Sequence, residues 1–309
     1  MVVVREVLLL MQTDASFATL REVYYELKNY FSNQAQCSRT IQKLANILGT
    51  FRFCLGIVAS SRGLFEGHVY FRDGASLQWT KAVSPDEHFV GLPLTPAALG
   101  ERNRGGLFFR HTSLRARCIL VVEKEAVFQR LVNSRFYDRY PCVILTGKGQ
   151  PSFAARAYVR KLRDHLQIPV LLLVDWNPWG LRIALTYMSG GSSCPEGYHY
   201  AVPSARIVGI MKRHVEAGGD NGETMARIRP ECFQDFRPSD LAVARSLLSN
   251  TFLKNEKPHL ISEVRFMMQR RETLEIEALY SEIGIEAFLR AWLPGELVHA
   301  IRSASHSRR

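Results

Sequence analysis

Three short, continuous runs of apolar residues constrain the fold of this chain more than any other feature of its sequence. They occupy residues 118–122, 142–145 and 170–174, and helix-like segments at about 126–137 and 152–166 lie between them. Continuous apolar runs of this length are typical of strands that are buried on both faces. Strands that alternate with helices form parallel sheets. The sequence therefore predicts an α/β domain with an open, mainly parallel sheet, covering 118–309 with a further strand at about 205–210 and helices within 238–303.

Residues 1–92 predict a different unit, in which three helices are followed by strands. The second helix, at about 17–31, carries apolar residues at helical spacing. The third begins at Ser38 as its N-cap and stops before Gly49. Two strands within 51–71 would form a hairpin, and helices followed by a hairpin are typical of a winged-helix, CAP-like DNA-binding domain. The looser stretch 93–117 is predicted to be a linker.

The balance of charge favours a polyanionic partner. The chain has 40 Lys and Arg residues against 29 Asp and Glu residues, a formal net charge of +11, and 31 of the 40 are Arg, the side chain that binds phosphate in a bidentate way. The third helix has a polar side that could enter the DNA groove, formed by Arg39, Thr40, Gln42, Lys43 and Asn46. A polar face that is simply exposed to solvent would explain these residues equally well.

Three features are not expected because of what the sequence lacks. No two of the six cysteines form a C-x-x-C pair, so neither a zinc knuckle nor a dithiol redox motif is expected. No run of 18 uncharged apolar residues occurs, so no membrane-spanning helix is expected.

Acidic and amide side chains follow two of the predicted buried strands. Glu123 ends the first strand, Asp175 ends the third, and Asn177 lies two residues further on in a turn that contains Pro178 and Gly180. Ligands of open α/β sheets bind beyond the carboxyl ends of the strands, and oxygen ligands suit Mg²⁺. Acidic residues also end many strands because the chain is leaving the core there. The three residues together predict a Mg²⁺ site.

A glycine-containing loop, Thr146-Gly-Lys-Gly-Gln-Pro151, lies between the middle strand and the next helix. Its glycines allow the backbone to approach a phosphate, and Lys148 adds a positive charge. The loop lacks the spacing of a Walker A motif, so an NTPase is not expected. Arg156 on the following helix extends a basic surface together with Arg160, Lys161 and Arg163, although a solvated face would also account for them.

A candidate nucleophile lies on the second helix. Tyr25 falls outside the apolar stripe, with Arg21 one turn before it and Lys28 about one turn after it. The phenol has a reference pKa of about 10, so attack on phosphorus at neutral pH requires a positive environment or a base. Most tyrosines have only a structural role, and this pattern alone does not decide between the two.

Taken together, these segments resemble the family of meiotic double-strand-break transesterases, which is related to the A subunit of topoisomerase VI. The similarity runs from about Thr19 to about Leu279. It is carried by Arg21-Glu-Val-Tyr-Tyr25, Ala59-Ser-Ser-Arg-Gly-Leu64, Val121-Val-Glu-Lys-Glu-Ala-Val-Phe128, Thr146-Gly-Lys-Gly-Gln-Pro151 with Arg156, Asp175-Trp-Asn-Pro-Trp-Gly180 and Glu275-Ile-Glu-Ala-Leu279.

The resemblance implies a winged-helix domain that bears the nucleophile, followed by a Toprim domain that holds Mg²⁺. Tyr25 would attack a DNA phosphodiester and form a 5′-phosphotyrosyl link, Arg21 would stabilise the developing charge, and Glu123 and Asp175 with Asn177 would hold the metal. Arg62, Lys148 and Arg156 would contact backbone phosphates.

The same resemblance implies how the protein would work in the cell. Two copies would act on duplex DNA, one per strand, and this subunit would use no ATP. Meiotic break-formation accessory proteins and a topoisomerase VI B-like subunit would be its partners, on chromosomes in the nucleus, with no membrane involved.

The sequence departs from the family pattern in ways that leave two other functions open. Asn177 stands where a second acid is usual, Leu20 stands where a Lys is common, relatives carry more residues before the winged helix, and 190–197 resembles a local insertion. A catalytically degenerate relative that binds duplex DNA without cutting it is one alternative. A topoisomerase VI-type A subunit that acts in decatenation with an ATPase partner is the other.

Overall fold

The computed structural model describes most of the chain. The first predicted helix lies largely outside the described residues, as do residues 59–61 of one quoted motif and 192–195 of the predicted insertion. The described residues are 3–5, 9, 17–58, 62–73, 76, 78–84, 91–100, 106–191, 196–216 and 228–306.

A six-stranded sheet forms the centre of the molecule, which we call the large sheet. Its first four strands are parallel to one another, and the last two pair antiparallel. The predicted α/β class with an open, mainly parallel sheet is therefore confirmed. In spatial order the strands are Arg206–Val208, Val170–Leu173, Ile119–Val122, Val143–Thr146, Leu64–Gly67 and Leu92–Pro93.

The three apolar runs form the central strands because every residue of Ile119–Val122, Val143–Thr146 and Val170–Leu173 is buried. Helices follow these strands and cover the sheet, which is why the strands show no alternation of apolar and polar residues. The covering helices are Glu125–Asn133, Phe136–Arg139, Phe153–Leu166, Pro178–Ser189 and the short Glu196–His199 and Lys212–Val215.

The N-terminal unit differs from its prediction in where its helices begin and end. The second predicted helix covers only Leu20–Glu26 and is followed by a 3-10 turn at Lys28–Tyr30. The next helix is Gln34–Ile47, and its N-cap is Asn33, whose side chain accepts a hydrogen bond from the backbone N–H of Gln36. The prediction that Ser38 is the N-cap is therefore wrong, because a capping side chain is already available five residues earlier.

The predicted hairpin within 51–71 is wrong. Arg52–Leu55 is a 3-10 helix, and Ile57–Val58 pairs in parallel with Ala18–Thr19. Leu64–Gly67 instead joins the large sheet, where it pairs with Val143–Thr146. A Cβ at Gly67 would lie 2.3 Å from the carbonyl oxygen of Cys142, and its φ is +136°. Only glycine fits there, and the chain leaves the large sheet at that residue.

A second, three-stranded antiparallel sheet, which we call the small sheet, follows Gly67. It consists of Thr80–Lys81, Val69–Asp73 and Leu107–His111, in that order. Residues 93–117 thus contain a paired strand, as well as the 3-10 helix Pro96–Leu99, so the prediction of a linker there is wrong.

Among the residues that the structure describes, the buried apolar side chains form two clusters. The smaller contains residues from Val3 to Ile57, and the larger contains residues from Val58 to Ala300. The two cores therefore meet near residue 57 and not at residue 92, because the strands after residue 62 belong to the sheets of the larger core.

The predicted C-terminal helices are confirmed, and a short strand pair, Gln234–Asp235 with Glu272–Thr273, joins them. None of the described helices is long and apolar enough to cross a membrane. The helical segments are Pro238–Ser249, Thr251–Glu256, Pro258–Arg270, Ile276–Ile283, Ile285–Ala287, a π-helical turn at Phe288–Trp292, and Leu293–His306.

Candidate active site

The helix Leu20–Glu26 is held in place by its first turn. Thr19 and Glu22 form a capping box, in which the Glu22 N–H donates to Thr19 Oγ1 at 3.2 Å and the Thr19 N–H donates to Glu22 Oε2 at 2.6 Å. Both bonds satisfy backbone donors that the first turn leaves free. Val23, fully buried, packs the opposite face into the smaller core. The residues at 21 and 25 therefore project together from the other face.

Arg21 and Tyr25 are in contact on this face. The Arg21 Nη2 donates to the Tyr25 hydroxyl at 3.4 Å, and the guanidinium carbon lies 5.7 Å from the centroid of the ring. Tyr25 is 55% exposed, so a ligand can reach its hydroxyl. The hydrogen bond and the charge of Arg21, with a smaller contribution from Lys28, lower the pKa of Tyr25 below its usual value of 10. The helix thus presents a phenol whose ionised form is favoured by its surroundings.

Glu123 and Asp175 come together at the carboxyl ends of two neighbouring strands of the large sheet. The backbone N–H of Asp175 donates to Glu123 Oε2 at 3.0 Å, and Asp175 is only 4% exposed. Burial, and then the nearby charge of Asp175, raise the pKa of Glu123 from 4.5 to about 7. Burial also raises the pKa of Asp175, although Lys124 opposes the change. Two carboxylates this deep require a cation if both are to be ionised.

Lys124 supplies one positive charge at this place, and sequence reasoning missed it. Its Nζ lies 3.1 Å from Asp175 Oδ2, 3.2 Å from Glu275 Oε2 and 2.6 Å from Glu277 Oε2. A bridge between Trp176 and Leu274 brings the two glutamates to the site. The only signal in the sequence was the presence of residues 124, 275 and 277 within the quoted family motifs.

The residues present fit a magnesium ion in part. Glu123 and Asp175 offer buried carboxylate oxygens, and a Cβ at Gly180 would lie 3.2 Å from Glu123 Oε2, so glycine leaves the space beside it open. Asn177 Oδ1 accepts a hydrogen bond from the Gly180 N–H at 2.7 Å and caps the helix Pro178–Ser189. Among the described residues, no three His, Cys, Asp or Glu side chains converge as a set of metal ligands. Two carboxylates therefore fit the ion, while Asn177 is engaged as a helix cap.

The glycine-containing loop lies against the same strand end. The Gly149 N–H donates to the carbonyl oxygen of Glu123 at 2.9 Å, and the Lys148 N–H donates to Thr146 Oγ1 at 3.1 Å. Lys148 has a φ of +55°, and its Nζ pairs with Glu125 Oε1 at 2.8 Å. The loop thus holds a lysine close to the carboxylates, with its charge shared by one acidic partner.

The basic surface predicted on helix Phe153–Leu166 is not an open face. Arg156 is 6% exposed and donates a hydrogen bond to the carbonyl oxygen of Gly190. Its guanidinium carbon lies 4.2 Å from the centroid of the Phe153 ring, on which it stacks. Arg160 and Arg163 both pair with Asp164, at 2.6 and 2.8 Å, which reduces their joint charge. Arg62, by contrast, is exposed.

Arg156 instead lines a cavity of about 710 Å³ between the helix Gln34–Ile47 and the large-sheet body. Its wall includes Arg39, Gln42 and Lys43, which the sequence had suggested as the groove-facing side of that helix. The other cations of the wall, for which the sequence gave no signal, are Arg52 and Arg182. Arg52 is held by Glu196 at 3.1 Å. Five cations around one cavity suit a polyanionic ligand.

The site combines two carboxylates at the strand ends of a mainly parallel sheet with an exposed tyrosine on the smaller unit. This arrangement places the chain in the class of proteins with a Toprim domain. The profile of the Toprim domain of the topoisomerase 6 A-subunit/Spo11 family matches residues 118–297, and a type IIB DNA topoisomerase profile matches residues 1–57. The chain belongs to the topoisomerase 6 A-subunit/Spo11 family.

Relatives of this family resemble most of the chain. It is 36% identical to meiotic recombination protein SPO11-2 of Oryza sativa subsp. indica over 87% of its own length and 65% of the rice protein. It is 28% identical to the A subunit of DNA topoisomerase 6 from Arabidopsis thaliana, over 90% of its length and 60% of that protein. It is also 28% identical to meiotic recombination protein SPO11 of Mus musculus, over 93% and 67% of the two chains. The chain thus spans about two thirds of the lengths of these relatives.

Proposed function

We propose that the protein cleaves duplex DNA by transesterification and so makes meiotic double-strand breaks. The observation that carries the proposal is the contact between Arg21 and the exposed hydroxyl of Tyr25. In the reaction, Tyr25 Oη forms a bond to phosphorus and the bond between phosphorus and the 3′-oxygen breaks. The phosphate stays on the tyrosine as a 5′-phosphotyrosyl link, and the 3′-oxygen leaves with a proton as a hydroxyl.

Arg21 has two roles in this step, one toward the nucleophile and one toward the phosphate. Its guanidinium favours the phenolate, the form of Tyr25 that attacks. It also lies where negative charge develops on the phosphate oxygens, and fixed donors at such places make a large contribution to catalysis. Because the ester energy is retained in the tyrosyl link, cleavage by this subunit uses no ATP.

Glu123 and Asp175 are the residues that would hold Mg²⁺. The ion, when bound, would neutralise and position the scissile phosphate. Lys124 pairs with Asp175 and helps to hold it in place, and Asn177 caps the helix that begins beside it. The amide of Asn177 can still offer a lone pair of its carbonyl oxygen, since such an oxygen accepts more than one partner.

DNA would be held by cations that contact its backbone. We propose that the N-terminal unit binds DNA through its helices, as the helical part of a CAP-like domain does, and that Arg62 and Lys148 contact phosphates. Arg156, which is only 6% exposed, would add positive charge from within the wall of the cavity. Such contacts position a duplex without reading its sequence. Binding through them weakens steeply as salt increases.

The proposed assembly follows from the chemistry and from the relatives. Each chain would supply one nucleophile, Tyr25, and cut one strand, so a double-strand break needs a homodimer. Relatives are named as meiotic recombination proteins and as a topoisomerase subunit. The partners that we accordingly propose are meiotic break-formation accessory proteins and a topoisomerase VI B-like subunit, on chromosomes in the nucleus.

A covalent-adduct assay tests the proposal. Meiotic cells that express the wild-type protein, Tyr25→Phe or Tyr30→Phe are lysed in denaturant, and the protein is examined for attached DNA. Tyr30 is a suitable control because it is an exposed tyrosine of the same unit, 62% exposed. The proposal expects DNA on the wild type and on Tyr30→Phe, and none on Tyr25→Phe. An adduct that persists in Tyr25→Phe would assign the attack to another tyrosine.

One observation favours a second candidate, a relative that binds duplex DNA without cutting it. Asn177 brings no negative charge to the metal site, and Lys124 already neutralises part of the charge there. The same assay distinguishes the two functions, because this candidate gives no adduct on any variant while breaks still form in the cells.

A further inference from the structure

The outer face of the small sheet carries a cluster of cations and aromatic rings, which we call the cation–aromatic face. In the register of the sheet, Tyr70 lies opposite Lys81 on one side and Arg110 on the other. The neighbouring row contains Trp79, Arg72 and Phe108, since Phe71 pairs with Thr80 and Arg72 pairs with Phe108. Successive side chains of a strand point to opposite faces, so all six residues share one face.

The opposite face of this sheet is buried, which fixes the cation–aromatic face toward the outside. Val69, Leu107 and Phe109 are at most 5% exposed and belong to the larger core. The Phe109 N–H donates to His165 Nδ1 at 3.1 Å, which ties this strand to the helix Phe153–Leu166. The cation–aromatic face is therefore an outer surface of a sheet that is anchored from behind.

The rings and the cations are interleaved. The Arg72 guanidinium lies between two rings, 5.2 Å from the centroid of Trp79 and 5.3 Å from that of Phe108. Arg110 reaches across the central strand and lies 4.4 Å from the Trp79 ring and 5.1 Å from the Tyr70 ring. Trp79 thus contacts both guanidiniums, which makes it the centre of the cluster.

No acidic side chain among the described residues pairs with the arginines of this face. Within the part of the chain that the structure describes, neither Arg72 nor Arg110 forms an ion pair, and the buried Nε of Arg72 has no hydrogen-bond acceptor. The six residues comprise three cations, three aromatic rings and no acidic side chain. Such a surface attracts an anionic partner and offers that partner flat apolar groups.

We propose that the cation–aromatic face binds single-stranded DNA. Aromatic rings and guanidinium planes on a sheet stack on bases, while the same cations attract the phosphates between them. A duplex keeps its bases stacked inside, so the rings of a flat sheet cannot reach them; a single strand can place two or three bases on such a surface. This binding site is separate from the proposed cleavage of duplex DNA and does not depend on Tyr25.

Fluorescence anisotropy with a labelled 12-nucleotide oligo(dT) and a 12-base-pair duplex tests the proposal on the full chain. Trp79→Ala removes the central ring, and Arg110→Gln removes one exposed cation. Arg290→Gln is the matched control, because Arg290 is exposed and pairs only locally, with Glu286 at 2.5 Å. We expect Trp79→Ala to weaken oligo(dT) binding about tenfold. Arg110→Gln should weaken it several-fold, whereas the control and all duplex affinities stay unchanged.

Crosslinking keeps the test decisive if Trp79→Ala fails to fold. An oligonucleotide that contains 4-thiothymidine is irradiated with the wild-type protein, and the attached peptides are identified. Crosslinks within 69–81 or 107–111 support the proposal, and crosslinks confined to the cavity beside the helix Gln34–Ile47 overturn it.

Two results of the anisotropy measurement also overturn the proposal: an unchanged oligo(dT) affinity in Arg110→Gln, or an equal loss of affinity for both DNA forms. So does a polyglutamate peptide that binds this face when oligo(dT) does not. The covalent adduct of Tyr25 is unaffected by any of these outcomes.

Discussion

Replacing Glu123 with Gln should stabilise the metal-free protein at alkaline pH, even though it removes a residue of the proposed active site. In the folded chain the carboxyl of Glu123 is buried beside Asp175, and its pKa is raised from 4.5 to about 7. The folded state therefore binds a proton more tightly than the unfolded state. The contribution of Glu123 to the free energy of unfolding is therefore fully present below pH 4.5, and it is lost as the pH rises through about 7.

The magnitude follows from the pKa of Glu123. Each pKa unit corresponds to about 1.4 kcal/mol, so the rise cited for Glu123 amounts to about 3 kcal/mol at pH 8. Gln has nearly the same shape and still offers a carbonyl oxygen to the Asp175 N–H, so the hydrogen bond of 3.0 Å can persist. We expect Glu123→Gln to be more stable than the wild type by up to about 3 kcal/mol at pH 8. At pH 5 the two should be nearly equal.

Urea unfolding in EDTA, followed by tryptophan fluorescence, to which the buried Trp176 contributes, measures this difference between pH 5 and pH 8. Glu286→Gln is the control, because Glu286 lies on the surface and its loss should change stability by less than about 0.5 kcal/mol at either pH. Millimolar Mg²⁺ should stabilise the wild type at pH 8 and have a smaller effect on Glu123→Gln. If Glu123→Gln is less stable than the wild type at pH 8, or if the two show the same dependence on pH, the electrostatic argument is refuted.

Three further predictions concern the N-terminal unit. Arg21→Gln should move the ionisation of Tyr25 to higher pH while Arg21→Lys retains part of the effect, which NMR of ring-labelled tyrosine measures. Thr19→Ala should destabilise the protein by about 1 kcal/mol through loss of the capping box, whereas Thr19→Ser should not, as urea unfolding would reveal. Arg52→Met should cost about 3 kcal/mol because it leaves the buried Glu196 without its cation, and the double variant Arg52→Met/Glu196→Gln should recover most of that loss in the same measurement.

The parts of the fold that could be predicted are those that local sequence determines. The central strands are buried on both faces, so their apolar runs are uninterrupted in the sequence itself. Arg21 and Tyr25 meet because residues four apart on a helix are neighbours, whatever surrounds the helix. The position of Glu123 and Asp175 at the strand ends was also predictable, because it depends only on where the strands end and on their parallel direction.

The wrong predictions depended on partners that are distant in the sequence. Leu64–Gly67 has the composition of a hairpin strand, but its partner is Val143–Thr146, about 80 residues away. Arg156 lies at a position where a basic residue suggests an exposed helix face, yet the ring of Phe153 and the carbonyl of Gly190 give it a buried site. Neither contact leaves a periodic signal in the sequence.

The proposed metal site does not require an acidic residue at position 177. A second aspartate at position 177 would add negative charge to a place where burial already raises the pKa of both Glu123 and Asp175, and where the charge of Asp175 raises that of Glu123 further. Lys124 is shared with Glu275 and Glu277, so it offsets that charge only in part. The helix cap needs an oxygen at residue 177 and not a charge, because Asn and Asp cap helices about equally well. An amide at this position therefore keeps the geometry of the turn while it lowers the repulsion, so the two remaining carboxylates are easier to ionise and to present to a cation.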